Sequence, residues 1–426
     1  MSETKLDSAF GPRPIARRPL LAAAASAVLL GTMPRRARAA GKQLTFIANQ
    51  TDAAQIAILH DIAASYEKDT GTHVAINVMD HEAQKTAIRS YLLAEAPDLT
   101  YWYSGNRMRL FVDHGLFEDV SDVVASLNLS GPLGSRLDTV TVNGNQYGLP
   151  MGGTVWGIMY RADLFAEKGL TPPDTWDAFL ATCEKAKSSG LVPLAIGTKE
   201  LWPAAVWFDY FDLRLNGLES HTALMNGTVS YLDPRLDAVF DAWEKLIKAN
   251  YFLPNHTSYA WQQAAAFLVQ KKAAMFLLGS FVDGAFPEAD KEQLRFLPFP
   301  TMKAGLDPFQ EYSVESVHIP SHSNNKEEAK RFLAYFYQKQ NIGRLLAPTG
   351  DIPARSDVPV ATTAFTQAAF KTLEAAKGTS QYYDRDTDPA MAQIGLNAFQ
   401  QFMVQPEQRH AIQQRLEMTR KRVFKV

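Results

Sequence analysis

Tyr147-Gly148-Leu149-Pro150, Met159-Tyr160-Arg161-Ala162-Asp163-Leu164-Phe165, Gly169-Leu170 and Pro172-Pro173-Asp174-Thr175-Trp176 follow one another in the middle of the 426-residue chain. Val155–Arg161 is apolar enough for a buried strand. Asp163–Lys168 reads as a short helix stopped by Gly169. Pro172 and Pro173 then stiffen the entry to a helix near 175–189, which Asp174 and Thr175 cap and Gly190 ends. Trp176 and, further on, Trp243 lie inside amphipathic helices and are expected in the core. A strand, two helices and a further strand at Leu191–Ile196 define an α/β unit.

The same rhythm extends outward. Upstream, Gln43–Ala48, His73–Val78 and Pro97–Tyr101 read as strands separated by helical spacing over 54–66 and 82–94. This order predicts parallel strands in a layered α/β domain. Downstream, helices are expected near 203–215, 233–249 and 259–270, with strands at Ala273–Leu278, Leu294–Phe299 and Ser313–Ile319. Asn325 is placed to cap a helix carrying Ala329, Phe332, Leu333, Phe336 and Tyr337. The tail from Ala361 is helical except at Ser380–Pro389. The reading is two α/β lobes without a long linker.

Composition limits the function. Hydrophobic residues are 46% and charged residues 21%, enough to bury a large core and too apolar for disorder as the main state. Residues 1–39 hold seven basic and two acidic side chains, leaving 36 basic and 43 acidic in the rest, a net −7. Nucleic acid and anionic membrane both need a basic footprint, so neither is expected as a partner. The single cysteine, Cys183, excludes an intrachain disulfide and reads as a small buried hydrophobe.

The first 39 residues read as an address. Arg17-Arg18-Pro19-Leu20-Leu21 opens an apolar run that ends at Gly31, too short for a membrane span, and Ala37-Arg38-Ala39 supplies a cleavage site. The arginine pair resembles a twin-arginine export signal. No cysteine follows the run, so a free periplasmic protein, cut after Ala39 and not lipid-anchored, is expected.

Enzyme motifs are sparse. There is no G-x-S-x-G, P-loop, H-E-x-x-H or dinucleotide fingerprint. Ser323-Asn324-Asn325-Lys326 matches S-x-x-K without its companion motifs and reads as a helix start. Asp384-Arg385-Asp386-Thr387-Asp388 spaces carboxylates like a calcium loop, but Pro389 stands where glycine is needed. No catalytic residue, metal or cofactor is assigned. The aromatics stand out instead: Tyr101-Trp102-Tyr103, Trp156, Trp202, Trp207, Trp261, Phe281 and Tyr382-Tyr383 fall near strand ends or turns. Sugar rings need flat aromatic platforms together with polar hydrogen-bonding partners.

With Ala96-Pro97-Asp98-Leu99, Gly115-Leu116-Phe117-Glu118-Asp119-Val120, Lys271-Lys272-Ala273-Ala274-Met275, Gly279-Ser280-Phe281, Ile319-Pro320, Asn325-Lys326-Glu327-Glu328-Ala329 and Gly350-Asp351-Ile352-Pro353-Ala354, the central stretch resembles the extracellular carbohydrate-binding proteins of ABC importers, family 1. The resemblance runs in the family's order through nearly the whole chain after residue 40. It departs from the family at Phe281, where tryptophan is common, at Arg161 and at Glu315-Ser316.

The resemblance implies a two-lobed periplasmic binding protein fold, type II and maltose-binding-protein-like. Lobe one would be 41–150 plus 295–348 and lobe two 151–294 plus 349–426, with hinge crossings near Met151, Leu294 and Thr349. It implies a monomeric receptor that closes on a sugar or oligosaccharide and delivers it to an ABC transporter permease, without catalysis. The cleft residues it implies are Asn49, Gln50, His81, Glu82, Trp102, Ser104, Asn106, Trp202, Gly279, Ser280, Phe281, Glu315, Ser316, Asp351, Arg355, Tyr383, Asp384 and Arg385. Phe281, Trp102 and Trp202 would be platforms, and Glu82, Asp384 and Arg355 hydroxyl-binding partners. Gly279 would let the backbone approach the ligand. An arginine in the cleft would also suit an acidic sugar. The alternatives are the same fold binding a polyamine, an organic acid or another non-sugar solute, or a secreted carbohydrate-active enzyme.

Overall fold

The computed structural model describes residues 43–50 and 52–426; the export-signal reading of residues 1–39 lies outside them. Among the described residues no helix is long and apolar enough to cross a membrane.

Strand Gln43–Ala48 turns Leu44, Phe46 and Ala48 inward. It pairs in parallel with His73–Val78 on one side and with Leu99–Tyr103 on the other. Helix Ala53–Thr70 makes the first crossover. The Asp52 carboxylate caps it by accepting from the Gln55 amide at 2.9 Å, and Gly71 ends it at φ 76°. Leu59, Ile62, Ala63 and Tyr66 form its buried stripe. The third strand starts two residues later than the spacing predicts. Asp98 is drawn off to bond the Thr45 amide at 2.8 Å, and Ser323 donates to its other oxygen at 2.6 Å.

The parallel run ends there, and two long strands take over the centre. A return strand, Gln310–His318, lies antiparallel to Leu99–Tyr103 and to the long strand Leu149–Arg161. The long strand is shared. Its first half pairs with the return strand, and its second half pairs with Ala273–Gly279 and Leu294–Leu297. Val192–Ala195 adds in parallel to Ala273–Gly279. One sheet path therefore serves two cores.

The larger core gathers residues from Val155 to Phe299 and from Phe365 to Leu416, including Trp243 and Cys183. A second surrounds Leu44, Phe46 and Leu99 with Phe332, Leu333 and Phe336. A third joins Trp102, Tyr103, Phe111 and Phe117. The long strand changes core between Met151 and Val155, and the stretch Leu346–Ile352 changes again. The crossing expected near Leu294 is displaced. Leu294 and Phe296 pair with the far end of the long strand and sit in the larger core, and the chain changes core between Val314 and Val317 of the return strand.

Two glycines permit this crossing. A Cβ on Gly152 would stand 2.9 Å from the Ile352 carbonyl oxygen, and one on Gly153 would stand 2.9 Å from the Ser313 carbonyl oxygen. Opposite them the register shifts between Glu315 and Ser316. The irregularity re-aims the Glu315 side chain.

Candidate functional site: a cleft between two cores

A cleft of about 410 Å³ opens where the shared strands cross, within the usual range for small-molecule sites. One wall comes from the ends of the parallel strands and the helix after the second: Asn49, Gln50, Asp52, His81, Glu82 and Lys85. The floor is Gly152, Gly153 and Thr154 of the long strand, with Glu315 and Asp351. The other wall is aromatic.

Trp156, Trp202, Trp261, Phe281 and Tyr382 form that wall. Phe281 meets Trp261 at 4.9 Å between centroids and Trp156 at 5.7 Å, both near edge-to-face. Trp202 stands edge-on to Trp156 at 5.9 Å and to Tyr382 at 6.1 Å. Such contacts fix ring orientation as well as burying area. Polar ties hold the rings further: the Trp156 indole donates to Ser313 Oγ at 3.0 Å, and the Tyr382 hydroxyl donates to the Trp202 carbonyl. Leu201, just before Trp202, is held at φ 66°, a left-handed conformation that costs a leucine energy. The turn that aims Trp202 is thus strained.

The facing wall is charged. Lys85 Nζ stands 2.8 Å from Asp384 Oδ2 and 3.1 Å from Glu82 Oε1. Burial opposes the charge on Asp384, but Lys85, Arg385 and Arg107 outweigh it and hold its pKa at about 2. Arg385 lies over the Tyr103 ring at 4.2 Å and reaches Glu315 Oε1 at 3.3 Å. The Tyr103 hydroxyl bonds His81 Nε2 at 2.7 Å. Burial, with Lys85 and Arg385 nearby, pushes His81 well below the ordinary histidine range, so it is neutral. Asp351 is raised to about 6, chiefly by burial, although the Thr154 and Thr349 hydroxyls donate to it at 2.9 and 3.0 Å.

Of the residues singled out in the sequence, Asn49, Gln50, His81, Glu82, Trp202, Phe281, Glu315, Asp351, Asp384 and Arg385 lie on the cleft wall. Others point elsewhere. Trp102 is buried against Tyr103 and Phe111, because alternation along its strand turns Tyr101 to the cleft and Trp102 away. Ser104 donates to the Val314 carbonyl at 2.9 Å, and Asn106 to the Asp386 carbonyl at 2.7 Å. Ser280 Oγ accepts from the Val155 amide at 3.3 Å. The space a Gly279 side chain would need is filled by Thr154 and the Phe281 ring, so this glycine serves packing rather than ligand approach. Ser316 is tied to His318 and the Trp102 carbonyl. Arg355 spends its fork on Asp357 at 2.8 and 2.9 Å and on the Tyr337 carbonyl at 2.7 Å. Tyr383 is fully buried and bonds the Tyr231 hydroxyl at 2.7 Å.

Lys85 and Glu200 line the cleft as well and escaped the sequence reading. For Lys85 a signal existed, since it lies one turn after Glu82 on a helix capped by Asp80. Trp156, Trp261 and Tyr382 stood among the aromatic candidates, but nothing in their spacing separated them from core rings.

The model of the bacterial extracellular solute-binding protein family matches residues 48–342. The chain belongs to that family. Among curated relatives of this solute-binding protein is an ABC transporter extracellular-binding protein of Pyrococcus horikoshii, 24% identical over 65% of this chain and 62% of the relative. A diacetylchitobiose binding protein of Streptomyces coelicolor is 26% identical over 47% of this chain and 46% of its own. The alignments thus span about half to 62% of these relatives' lengths. The solved structure of the bacterial solute receptor AcbH, described as having an exclusive preference for β-D-galactopyranose, is 29% identical, with a TM-score of 0.85 over 90% of this chain and 100% of that one. A chitin oligosaccharide binding protein at 19% identity and a TM-score of 0.82 shares the two-lobed fold.

Proposed function

We propose that this solute-binding protein captures a sugar or short oligosaccharide in the cleft between its cores and presents it to an ABC transporter permease. The observation that carries the reading is the aromatic wall of Trp156, Trp202, Trp261, Phe281 and Tyr382 facing a wall of polar and charged groups. A sugar stacks its C–H face on the rings and directs its hydroxyls to Asn49, Gln50, Glu315 and Asp351. Phe281 and Trp202 are the platforms, and Glu82 and Asp384 act through their contacts with Lys85. The relatives' sugar ligands support this assignment without transferring it.

The mechanism is binding and closure. The long and return strands, which run from one core into the other, are the hinge elements, and ligand stabilises the form in which both walls touch it. The permease recognises that closed form. The chain acts as an exported periplasmic monomer, carried by a twin-arginine-like signal cut after Ala39, without a lipid anchor.

Seven carboxylates line the cleft (Asp52, Asp80, Glu82, Glu200, Glu315, Asp351, Asp384) against two cations, Lys85 and Arg385. That imbalance favours a second reading, the same fold binding a polyamine.

A thermal-shift panel of neutral sugars, oligosaccharides, uronic acids, polyamines and amino acids separates the readings. Ligand at 100 times its dissociation constant adds about 2.7 kcal/mol. A rise in midpoint with sugars alone supports the proposal. A rise with polyamines alone replaces it.

A further inference from the structure

Among the described residues, both cations of the cleft, Lys85 and Arg385, are already engaged. Lys85 Nζ is shared by Asp384 and Glu82, and Arg385 is held between Glu315 and the Tyr103 ring. An incoming carboxylate, sulfonate or phosphate would have to displace an internal partner that is itself anionic and partly or wholly buried. An acidic sugar held by the cleft arginine would therefore have to compete with Glu315 for Arg385.

Two acceptor atoms of the cleft, by contrast, are left over. Gln50 is nine-tenths buried on the cleft wall beside the Tyr101 hydroxyl, and among the described residues its Oε1 makes no close hydrogen bond. Glu200 also lines the cleft, and its Oε2 is buried and, among the described residues, without a donor. Glu200 precedes the strained turn at Leu201 that aims Trp202, and its backbone carbonyl accepts from the Trp202 amide at 2.7 Å, so it enters the cleft lining next to the aromatic wall. A buried acceptor left without a donor is costly, and a carboxylate more so than an amide. A carboxylate beside electron-rich ring faces is the chemistry that recognises an ammonium group.

We propose that the ligand is an amino sugar in its cationic form, its ammonium donating to Glu200 in the cleft that the aromatic wall lines. This rests on the sugar reading and names the class of sugar. It also accounts for the excess of carboxylates and keeps the aromatic wall in contact with a sugar ring.

The test is calorimetric titration of the full chain with matched sets: glucose, glucosamine and glucuronate; the galactose series; and cellobiose with its diamino and uronate counterparts. In at least one set the amino sugar is expected to bind about tenfold or more tighter than its neutral parent, with no detectable binding of the uronate. E200Q is expected to bring the amino-to-neutral ratio close to one, with its unfolding midpoint measured alongside to show that the fold is kept. Equal or weaker binding of the amino sugar, or measurable binding of the uronate, overturns the charge assignment and leaves the sugar reading intact. A ratio unchanged in folded E200Q overturns the role of Glu200. Silence toward every ring, with binding of spermidine or putrescine, overturns the sugar reading itself.

Discussion

Lys85 and Asp384 are 299 residues apart in sequence, yet Lys85 Nζ lies 2.8 Å from Asp384 Oδ2. Lys85 belongs to the helix that follows the second parallel strand. Asp384 belongs to the short helical turn Tyr383–Asp386, whose Tyr383 is packed in the larger core. The pair joins the charged wall of the cleft to the opposite core, and Arg107 adds a bond to the Asp384 carbonyl at 2.9 Å.

Removing one partner weakens the link between the two. Lys85→Met removes the charged hydrogen bond to Asp384 and leaves Arg385 and Arg107 as that carboxylate's remaining cations, and a loss of about 1.5–3 kcal/mol is expected in urea unfolding. The double variant K85M/D384N removes both charges and should recover a large part of the loss. Equal stabilities for K85M and wild type would show that the pair is not holding the wall.

The aromatic wall separates affinity from stability. Phe281→Ala and Trp202→Ala are each expected to weaken ligand binding by about 1–3 kcal/mol, roughly fivefold to more than a hundredfold. Trp102→Ala should instead cost about 3–5 kcal/mol of stability, because its ring is packed in the core, and leave the affinity of the folded fraction unchanged. Titration calorimetry and denaturation, run on the same three variants, check both halves.

A buried histidine predicts a pH dependence. His221 Nδ1 lies 2.9 Å from Asp212 Oδ2, with both side chains buried. Burial opposes its charge, but the bond to Asp212 and the Asp209 carboxylate win and raise its pKa to about 9. The folded state therefore holds this proton more tightly than the unfolded chain, whose histidine titrates near 6.5. The stabilisation is complete below pH 6.5 and is lost as pH rises through about 9. His221→Gln should flatten the fall in stability across that interval, measured as unfolding free energy at several pH values.

The crossing strands make a steric prediction. Gly153→Ala places a methyl against the Ser313 carbonyl oxygen and the Tyr312 ring. About 1–3 kcal/mol of destabilisation is expected. Because the residue also floors the cleft, ligand affinity measured on the folded protein should fall with it.

Much of this fold was legible because apolar spacing reports secondary structure directly. Gln43–Ala48 and His73–Val78 are strands, as their patterns predict, and the helix at Asn325 starts where expected. The antiparallel centre was not legible. Val155–Arg161 reads as an ordinary strand, and nothing local tells that it extends back to Leu149 through Gly152 and Gly153 and divides between two cores. The cleft was half legible for a related reason. Phe281 and Trp202 follow a strand end and a strained turn, where side chains project into open space. Leu99–Tyr103 ends in three consecutive aromatics, Tyr101, Trp102 and Tyr103, so residue type does not tell that Tyr101 rather than Trp102 faces the cleft. Arg355 looked like a ligand-binding arginine until its bond to Asp357, two residues on, was visible.

In the proposed function a sugar lies against the aromatic wall between the two cores. Trp156, Trp202 and Trp261 line the cleft, whereas Trp102, Trp207 and Trp243 are buried away from it. Titration of intrinsic tryptophan fluorescence with the sugar panel reads that wall directly. The account predicts a saturable change with one class of sugar, lost in W202A and retained in W102A. A saturable response to a non-sugar solute alone, or a sugar response that survives replacement of Trp202, Trp261 and Phe281 together, would contradict it.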